Sequence, residues 1–318
     1  VTDPTPRACF FGTPETGSWQ IRARQLATAR AQWSSREALD PDDIAGCEVF
    51  CAVKRPFRAR MRMLRALGRV VIYDALDCWR QPDDDARLDD LDKIRRHFAG
   101  WFGELHADGV IFPDRAMLDD VGDLAPDPVC IYHHFWPGLE PIEVRPRARL
   151  VGYQGDPRYL GPWRARIERA CRRLGLRFVV NPDDLRSIDI GVAVRGGVHA
   201  SLLARRYKSN VKLANFYGAA IPCAVDAEGL SYRETADGEV RFFATGEELE
   251  ACLAGLLPHE ARMQAHRSFL RTREQFTLGA IADRYESYFR GALARRSQAG
   301  VQNASALLTS RSNADTAR

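Results

Sequence analysis

Lys208, Ser209, Asn210 and Lys212 crowd cations and short polar side chains into one short segment. Leu213, Phe216, Tyr217 and Ala220 follow at helical spacing, which puts the start of a helix beside them. A helix start flanked by lysines attracts anions, because its free N–H groups and its dipole both favour negative charge. Lys208 and Lys212 are i and i+4, so they share a face if the helix begins early enough. Arg195 follows the apolar run Ile188–Val194 and precedes two glycines, where a guanidinium can clamp a diphosphate with two parallel hydrogen bonds. Such a set would stabilise a phosphorylated leaving group as its charge grows. The competing reading is a solvated basic face. Gly152 and Gly155 flank a turn after another apolar run, and glycines there let a backbone approach a ligand closely. The run is not GxGxxG, so it does not specify a dinucleotide. Glu228, Tyr232 and Glu234 lie in what reads as a polar loop after Cys223-Ala-Val225, as hydroxyl-binding and ring-stacking candidates.

A carboxylate or histidine beyond a strand end could act as a general base if it reaches the proton it takes. Glu15 sits in a glycine-containing loop, Gly12–Ser18, and Asp74 and Asp77 end another apolar run. His133 and His134 lie near an expected hinge. A carboxylate at a strand end serves equally well as a helix cap. Of the eight cysteines, only Cys47 and Cys51 are close, and no second pair or histidine completes a zinc spacing. A zinc site is therefore not expected, and the resemblance drawn below implies no metal and no cofactor.

The elements that would hold these residues alternate. Strands are expected at Ala8–Gly12, Glu48–Val53, Arg69–Tyr73, Gly109–Phe112 and Val129–Tyr132, with helices between them. This rhythm specifies a parallel sheet covered on both faces. His133–Pro146 holds three prolines and a glycine and reads as a linker. The rhythm then restarts with strands at Leu150–Tyr153, Arg177–Val180, Ile188–Val194, Cys223–Val225 and Val240–Phe243. A largely helical stretch from Glu260 to Leu293 breaks near Thr277. The expected division is 1–135, linker 136–147, 148–260, C-terminal helices 261–296 and a disordered tail 297–318. In open parallel sheets the ligand crevice lies beyond the carboxyl ends of the strands, which selects the residues above and adds Lys54, Asp114 and Asn181.

The 318 residues suit about two domains, and 45% hydrophobic content suits a soluble protein. A net charge of +4 with interspersed acidic runs argues against a broad polyanion surface. No apolar stretch is long enough to span a bilayer, and scattered cysteines fit a reducing cytoplasm.

The segment Arg206–Val225, a helix running into Gly218-Ala-Ala-Ile-Pro-Cys223, resembles the donor-binding half of GT-B glycosyltransferases. The resemblance spans roughly residues 7 to 293. It implies an α/β chain of two Rossmann-like domains facing a cleft, with a C-terminal helical extension. It also implies transfer of a sugar from a nucleotide-diphosphate donor to a hydroxyl acceptor without metal. Gly152, Tyr153, Gly155, Arg195, Lys208, Ser209, Asn210, Lys212, Asn215, Glu228 and Tyr232 would then bind donor. Glu15, Asp74, Asp77 and His133 would face the acceptor as candidate bases. One departure stands out: Tyr207 and Asn215 occupy the places of the paired glutamates that many retaining members of the large family-4 type carry. A nucleotide-sugar 2-epimerase and a non-catalytic sugar-binding module are the alternatives. A peripheral membrane contact and a DNA acceptor are lower-ranked partners.

Overall fold

The computed structural model describes residues 4–14, 16–76, 88–196 and 201–315, with side chains up to 298. Two all-parallel sheets organise it. The first has the order β2-β1-β3-β4-β5-β6. These strands are β1 Ala8–Gly12, β2 Trp33–Arg36, β3 Val49–Val53, β4 Val70–Asp74, β5 Gly109–Phe112 and β6 Pro128–Cys130. β1, β3 and β4 are buried at every residue. That is why they read as unbroken apolar runs: helices cover both faces of a parallel sheet. The second sheet, β11-β10-β9-β7-β8, uses β7 Leu150–Tyr153, β8 Arg177–Val180, β9 Ile190–Ala193, β10 Cys223–Asp226 and β11 Arg241–Phe243.

Each order reverses once. In the first sheet β1 pairs with both β2 and β3, so the chain leaves β1 in opposite directions on its two sides. In the second, β7 pairs with both β8 and β9. These reversals are switch points, and the crevices beyond them open at the carboxyl ends of β1 and β3, and of β7 and β9.

Local signals explain most helices. Helix α1, Gly17–Trp19, is capped by Thr16 and runs on as a π-helical stretch, Gln20–Gln25. Helix α2, Pro41–Gly46, has Asp40 as its cap in a capping box and proline in its first turn. Helix α3, Arg58–Ala66, closes at Gly68, whose φ of 77° a glycine adopts without steric cost. Helix α4 is Leu91–Leu105, and Asp114 caps α5, Arg115–Val121. In the second half, α6 is Trp163–Arg173, α7 Leu202–Tyr207, α8 Val211–Gly218, α9 Leu230–Thr235 and α10 Gly246–Gly255. Helix α11, His259–Thr272, and a 3₁₀ turn, Arg273–Phe276, lead to α12, Leu278–Asp315, with the break at Thr277 where it was expected.

The chain differs from expectation in three places. β2 has one buried residue, Trp33, and no apolar run, so periodicity misses this edge strand. Leu230–Thr235 is a helix rather than a polar loop, because Ser231, Tyr232 and Thr235 bury one face. The backbone stays helical to Asp315, where a disordered tail was expected from 297; the stretch lacks an apolar stripe but also lacks proline.

Helix α12 returns to the first sheet. Its Ile281, Ala282, Tyr285 and Phe289 join Phe10, Trp33 and Ile72 in one core cluster. No helix among the described residues is long and apolar enough to cross a membrane.

Candidate active site

The two crevices open into one cavity of about 490 Å³. Gly17, Ser18, Ile21, Lys54 and His133 line it from the first half of the chain. From the second half come Gly155, Asp156, Arg158, Tyr159, Arg195, Lys208, Ser209, Val211, Lys212 and Tyr232.

The second-half wall is built around Arg195, which immediately follows β9. It is buried, and its guanidinium donates to the Ser209 carbonyl at 2.7 Å and to Ser231 Oγ at 2.8 Å. It lies 4.2 Å from the centre of the Tyr232 ring. The Arg195 N–H donates to Asp226 Oδ2 at 3.3 Å, and burial pushes that carboxyl upward. Lys212, in the first turn of α8, donates to Tyr153 Oη at 2.6 Å and to the Val194 carbonyl at 3.3 Å. Its ammonium sits 4.3 Å from the Tyr153 ring and 5.0 Å from the Tyr159 ring. Burial, aided by Arg195 and Lys208, lowers its pKa to about 7. Lys208 precedes α8 in extended backbone, so the two lysines do not share a helical face. They meet instead over Tyr159, with the Lys208 ammonium 5.7 Å from its ring.

The turn after β7 is shaped by Asn181, which adopts φ 49°, a left-handed conformation that asparagine tolerates. Its side chain accepts from the Gly155 N–H at 2.7 Å. Gly155 has φ 132°, and a Cβ there would meet Lys212 Cε at 2.9 Å. Gly155 thus lets the backbone come close to Lys212 in the cavity wall.

On the first-half wall, Lys54 directly follows β3 with φ 61°. A left-handed residue with a Cβ costs about 1–2 kcal/mol, so neighbours must hold it. Its N–H donates to the Asp74 carbonyl at 2.9 Å, and its carbonyl accepts from Tyr73 Oη at 3.1 Å. Its ammonium donates to Ser18 Oγ at 3.3 Å. His133 lines the cavity while its backbone N–H donates to Asn210 Oδ1 at 3.1 Å.

Of the expected site residues, Gly155, Arg195, Lys208, Ser209, Lys212, Tyr232 and His133 meet at this cavity. Tyr153 stands behind it as the hydrogen-bond partner of Lys212. Others do different work. A Cβ on Gly152 would lie 2.5 Å from Ile188 Cγ2, so this glycine serves packing under the sheet rather than ligand approach. Asn210 and Asn215 hold the linker, accepting from the N–H groups of His133 at 3.1 Å and Trp136 at 2.9 Å. Glu228 is exposed and pairs with Arg205 at 3.1 Å. Asp74 is fully buried, 3.2 Å from Arg22 Nε, and accepts from Tyr285 Oη at 2.5 Å. It ties α1 and α12 to β4 and is no base. His134 is also buried, against Gln25, and its pKa falls to about 3. Glu15 and Asp77 lie outside the described residues.

Sequence reasoning passed over Ile21, Arg158 and Tyr159, and reached Ser18 and Asp156 only as members of strand-end segments; all five line the cavity. A 3₁₀ turn, Pro157–Tyr159, capped by Asp156, brings Tyr159 in, and only its Asp-Pro start is visible in sequence.

Two switch points facing one cavity, with α12 returning from the second half to the first sheet, decide the architecture. The fold is GT-B. HepE of Anabaena, solved with UDP and glucose, superposes with a TM-score of 0.58 at 10% identity, over 90% of this chain and 100% of that one. The α,α-trehalose 6-phosphate synthase of Burkholderia multivorans gives 0.59 at 9% identity, over 93% and 99%. AviGT4, a glycosyltransferase of avilamycin A biosynthesis, gives 0.51 at 13%, over 91% and 98%. No protein-family model matches the sequence, and no well-characterised protein matches it at the sequence level. Within the GT-B frame, the cationic wall belongs to the second Rossmann-like half and the Lys54–His133 wall to the first.

Proposed function

We propose that the protein is a glycosyltransferase that moves a sugar from a nucleoside-diphosphate donor to a hydroxyl acceptor. The observation that carries this reading is the convergence of Arg195, Lys208 and Lys212 at the switch point of the second sheet, facing the first across one cavity. The donor diphosphate would lie against these cations. As the anomeric carbon–oxygen bond breaks, its electron pair passes to the diphosphate, and preorganised positive charge there lowers the barrier. Lys208, Lys212 and Arg195 would do the work that a divalent cation does elsewhere. The acceptor oxygen forms the new bond, and His133 on the first-half wall would take its proton. Tyr232, held under Arg195, and Tyr159, under both lysines, fix the cations in place. UDP in the HepE complex makes uridine donors the first to try.

The test is thermal stability with UDP, GDP, ADP, CMP and dTDP and their sugars, with and without divalent metal. A ligand that binds only the folded state raises the melting temperature by mass action. One nucleoside diphosphate should do so equally well in EDTA, and Arg195→Ala should abolish the shift. No shift with any of them refutes the reading. Donor affinity without turnover against any acceptor would make the protein a binding module.

A further inference from the structure

Helix α7 belongs to the second half by chain order, yet it packs into the core of the first. Its Leu203 and Tyr207 are fully buried and share a cluster with Phe50, Phe112, Met117 and Val121. Where α7 ends, a carboxylate of the first half holds it. Asp120 of α5 accepts from Arg206 Nε at 2.8 Å and from Tyr207 Oη at 2.9 Å, and Arg206 Nη2 lies 2.6 Å from the same oxygen. Only 11% of the Asp120 side chain is exposed, so water does not readily replace these contacts.

The next two residues are held from the other half. The Lys208 carbonyl accepts from Ser231 Oγ at 2.6 Å, and the Ser209 carbonyl accepts from the Arg195 guanidinium at 2.7 Å. Ser231 Oγ also accepts from Arg195, at 2.8 Å. Lys208 and Ser209, both in the cavity wall, thus span the gap between Asp120 of the first half and the Arg195–Ser231 pair of the second. Further along α9, Glu234 accepts from the N–H groups of Arg115 and Ala116, where α5 begins. Helix α5 therefore grips α7 at one end and α9 at the other. Asp120 is not among the residues that line the cavity, so any effect it has on a bound anion passes through the 206–209 backbone. That path is short: Lys208 directly follows Tyr207, which leaves no slack chain to absorb a displacement. A cation that must first be brought into place gives up part of what it gains on meeting an anion.

We propose that Asp120 is a positioning residue for the donor diphosphate: from the opposite half of the chain it fixes the backbone that presents Lys208 to the anion. This rests on the glycosyl-transfer reading. It makes the donor wall dependent on the acceptor-side half for its geometry.

The experiment compares, by calorimetry, affinity for whichever nucleoside diphosphate of the panel binds tightest with affinity for the same nucleoside without phosphates. Asp120→Ala should weaken the diphosphate about three- to tenfold, the range for a residue acting through a packed network, and leave the nucleoside unchanged. Arg206→Met breaks the same pair from its more exposed side and should do likewise. Asp120→Asn keeps an acceptor oxygen and should retain most of the affinity. Asp123→Ala removes only a surface pair with Arg95 and should match wild type. In a Lys208→Met background, Asp120→Ala should cost less than it does alone, because its effect passes through Lys208. Full additivity in that cycle overturns the proposal. So does an unchanged diphosphate affinity in both Asp120→Ala and Arg206→Met, an equal loss of nucleoside affinity, or a matching loss in Asp123→Ala. If Asp120→Ala does not fold, Arg206→Met and Tyr207→Phe carry the same comparison. Wild type that binds no nucleoside diphosphate refutes the glycosyl-transfer reading before Asp120 is tested, so the two failures are told apart.

Discussion

Lys212 is the residue whose chemistry is most conditional. Its pKa is lowered to about 7 because burial, Arg195 and Lys208 all disfavour its charge. An arriving diphosphate reverses that balance and favours the protonated form. Binding should therefore take up a proton above about pH 7, and affinity for the diphosphate should fall as pH rises from 6 to 8.5. Calorimetry in buffers of different ionisation enthalpy measures the uptake directly; pH-independent affinity would contradict it. The sign for stability is opposite. With the folded pKa below the unfolded one, the unfolded chain holds more protons between pH 7 and the ordinary lysine value, so the lysine's penalty fades as pH rises through that window. Lys212→Met should raise the melting temperature at pH 6.5 while weakening diphosphate binding roughly 10- to 100-fold. Asp74 makes the contrasting case. Its carboxylate and Arg22 are both wholly buried, and removing one member of such a pair costs about 3–5 kcal/mol. Asp74→Ala should lose activity through loss of fold, seen as a lowered urea midpoint, whereas His133→Ala should keep diphosphate binding and lose transfer.

Helix α8 connects the cationic wall to the linker. Its first turn supplies Lys212 to the cavity, while Asn210 and Asn215 fasten the backbone of His133 and Trp136. Asn215 also donates to Gln154 Oε1 at 2.8 Å, in the turn that leads to Gly155. One helix thus positions Lys212 and the backbone of His133 at once. Asn215→Ala would leave the Trp136 N–H without its acceptor, at a cost of about 1–3 kcal/mol. We expect a lower melting temperature and weaker turnover, with diphosphate affinity changed less than transfer; equal losses of both would argue against coupling through the linker. This element also shows what the sequence makes legible. The helix, its lysines and the strand after it are visible because apolar spacing survives in a buried element. The resemblance places Asn215 with the donor by its position in the segment, but position carries no information on which backbone group its amide faces. Lys54 appears as a strand-end residue, yet its significance depends on β2. That edge strand buries only Trp33, so neither it nor the switch point it creates can be read from periodicity. Gly152 fails for a related reason: a glycine admitting Ile188 and a glycine admitting a ligand look alike in sequence.

At the scale of the whole molecule, the chain's last described helix belongs to the first sheet rather than to the half that precedes it. Tyr285 and Phe289 pack against Phe10, with ring centres 5.9 and 6.0 Å away, and Phe289 meets Trp33 at 5.7 Å. Glu286 receives Arg30 at 2.7 Å, and Tyr288 donates to the Asp127 carbonyl at 2.5 Å. The second half is thereby bracketed by two crossings, the 131–149 stretch and the 3₁₀ turn before α12, and these crossings touch: the Phe135 N–H donates to the Phe276 carbonyl at 3.0 Å. Glu234 of α9 meets the far side, accepting from the N–H groups of Arg115 and Ala116, each at 2.7 Å, at the start of α5. Burial raises the Glu234 carboxyl above its ordinary value. Ending the chain at Thr277 would strip the cover from Phe10, Trp33 and Ile72 and remove the Tyr285 partner of Asp74. The fragment should aggregate or bind hydrophobic dye, because a sheet face of that kind cannot remain in water. Tyr285→Phe, which keeps the ring and loses only the hydroxyl, should fold and cost about 1.5–3 kcal/mol by urea denaturation, the range for a hydrogen bond to a charged group. A Tyr285→Phe protein as unstable as the truncation would mean that the Asp74 contact, and not the apolar face of α12, holds the second crossing in place.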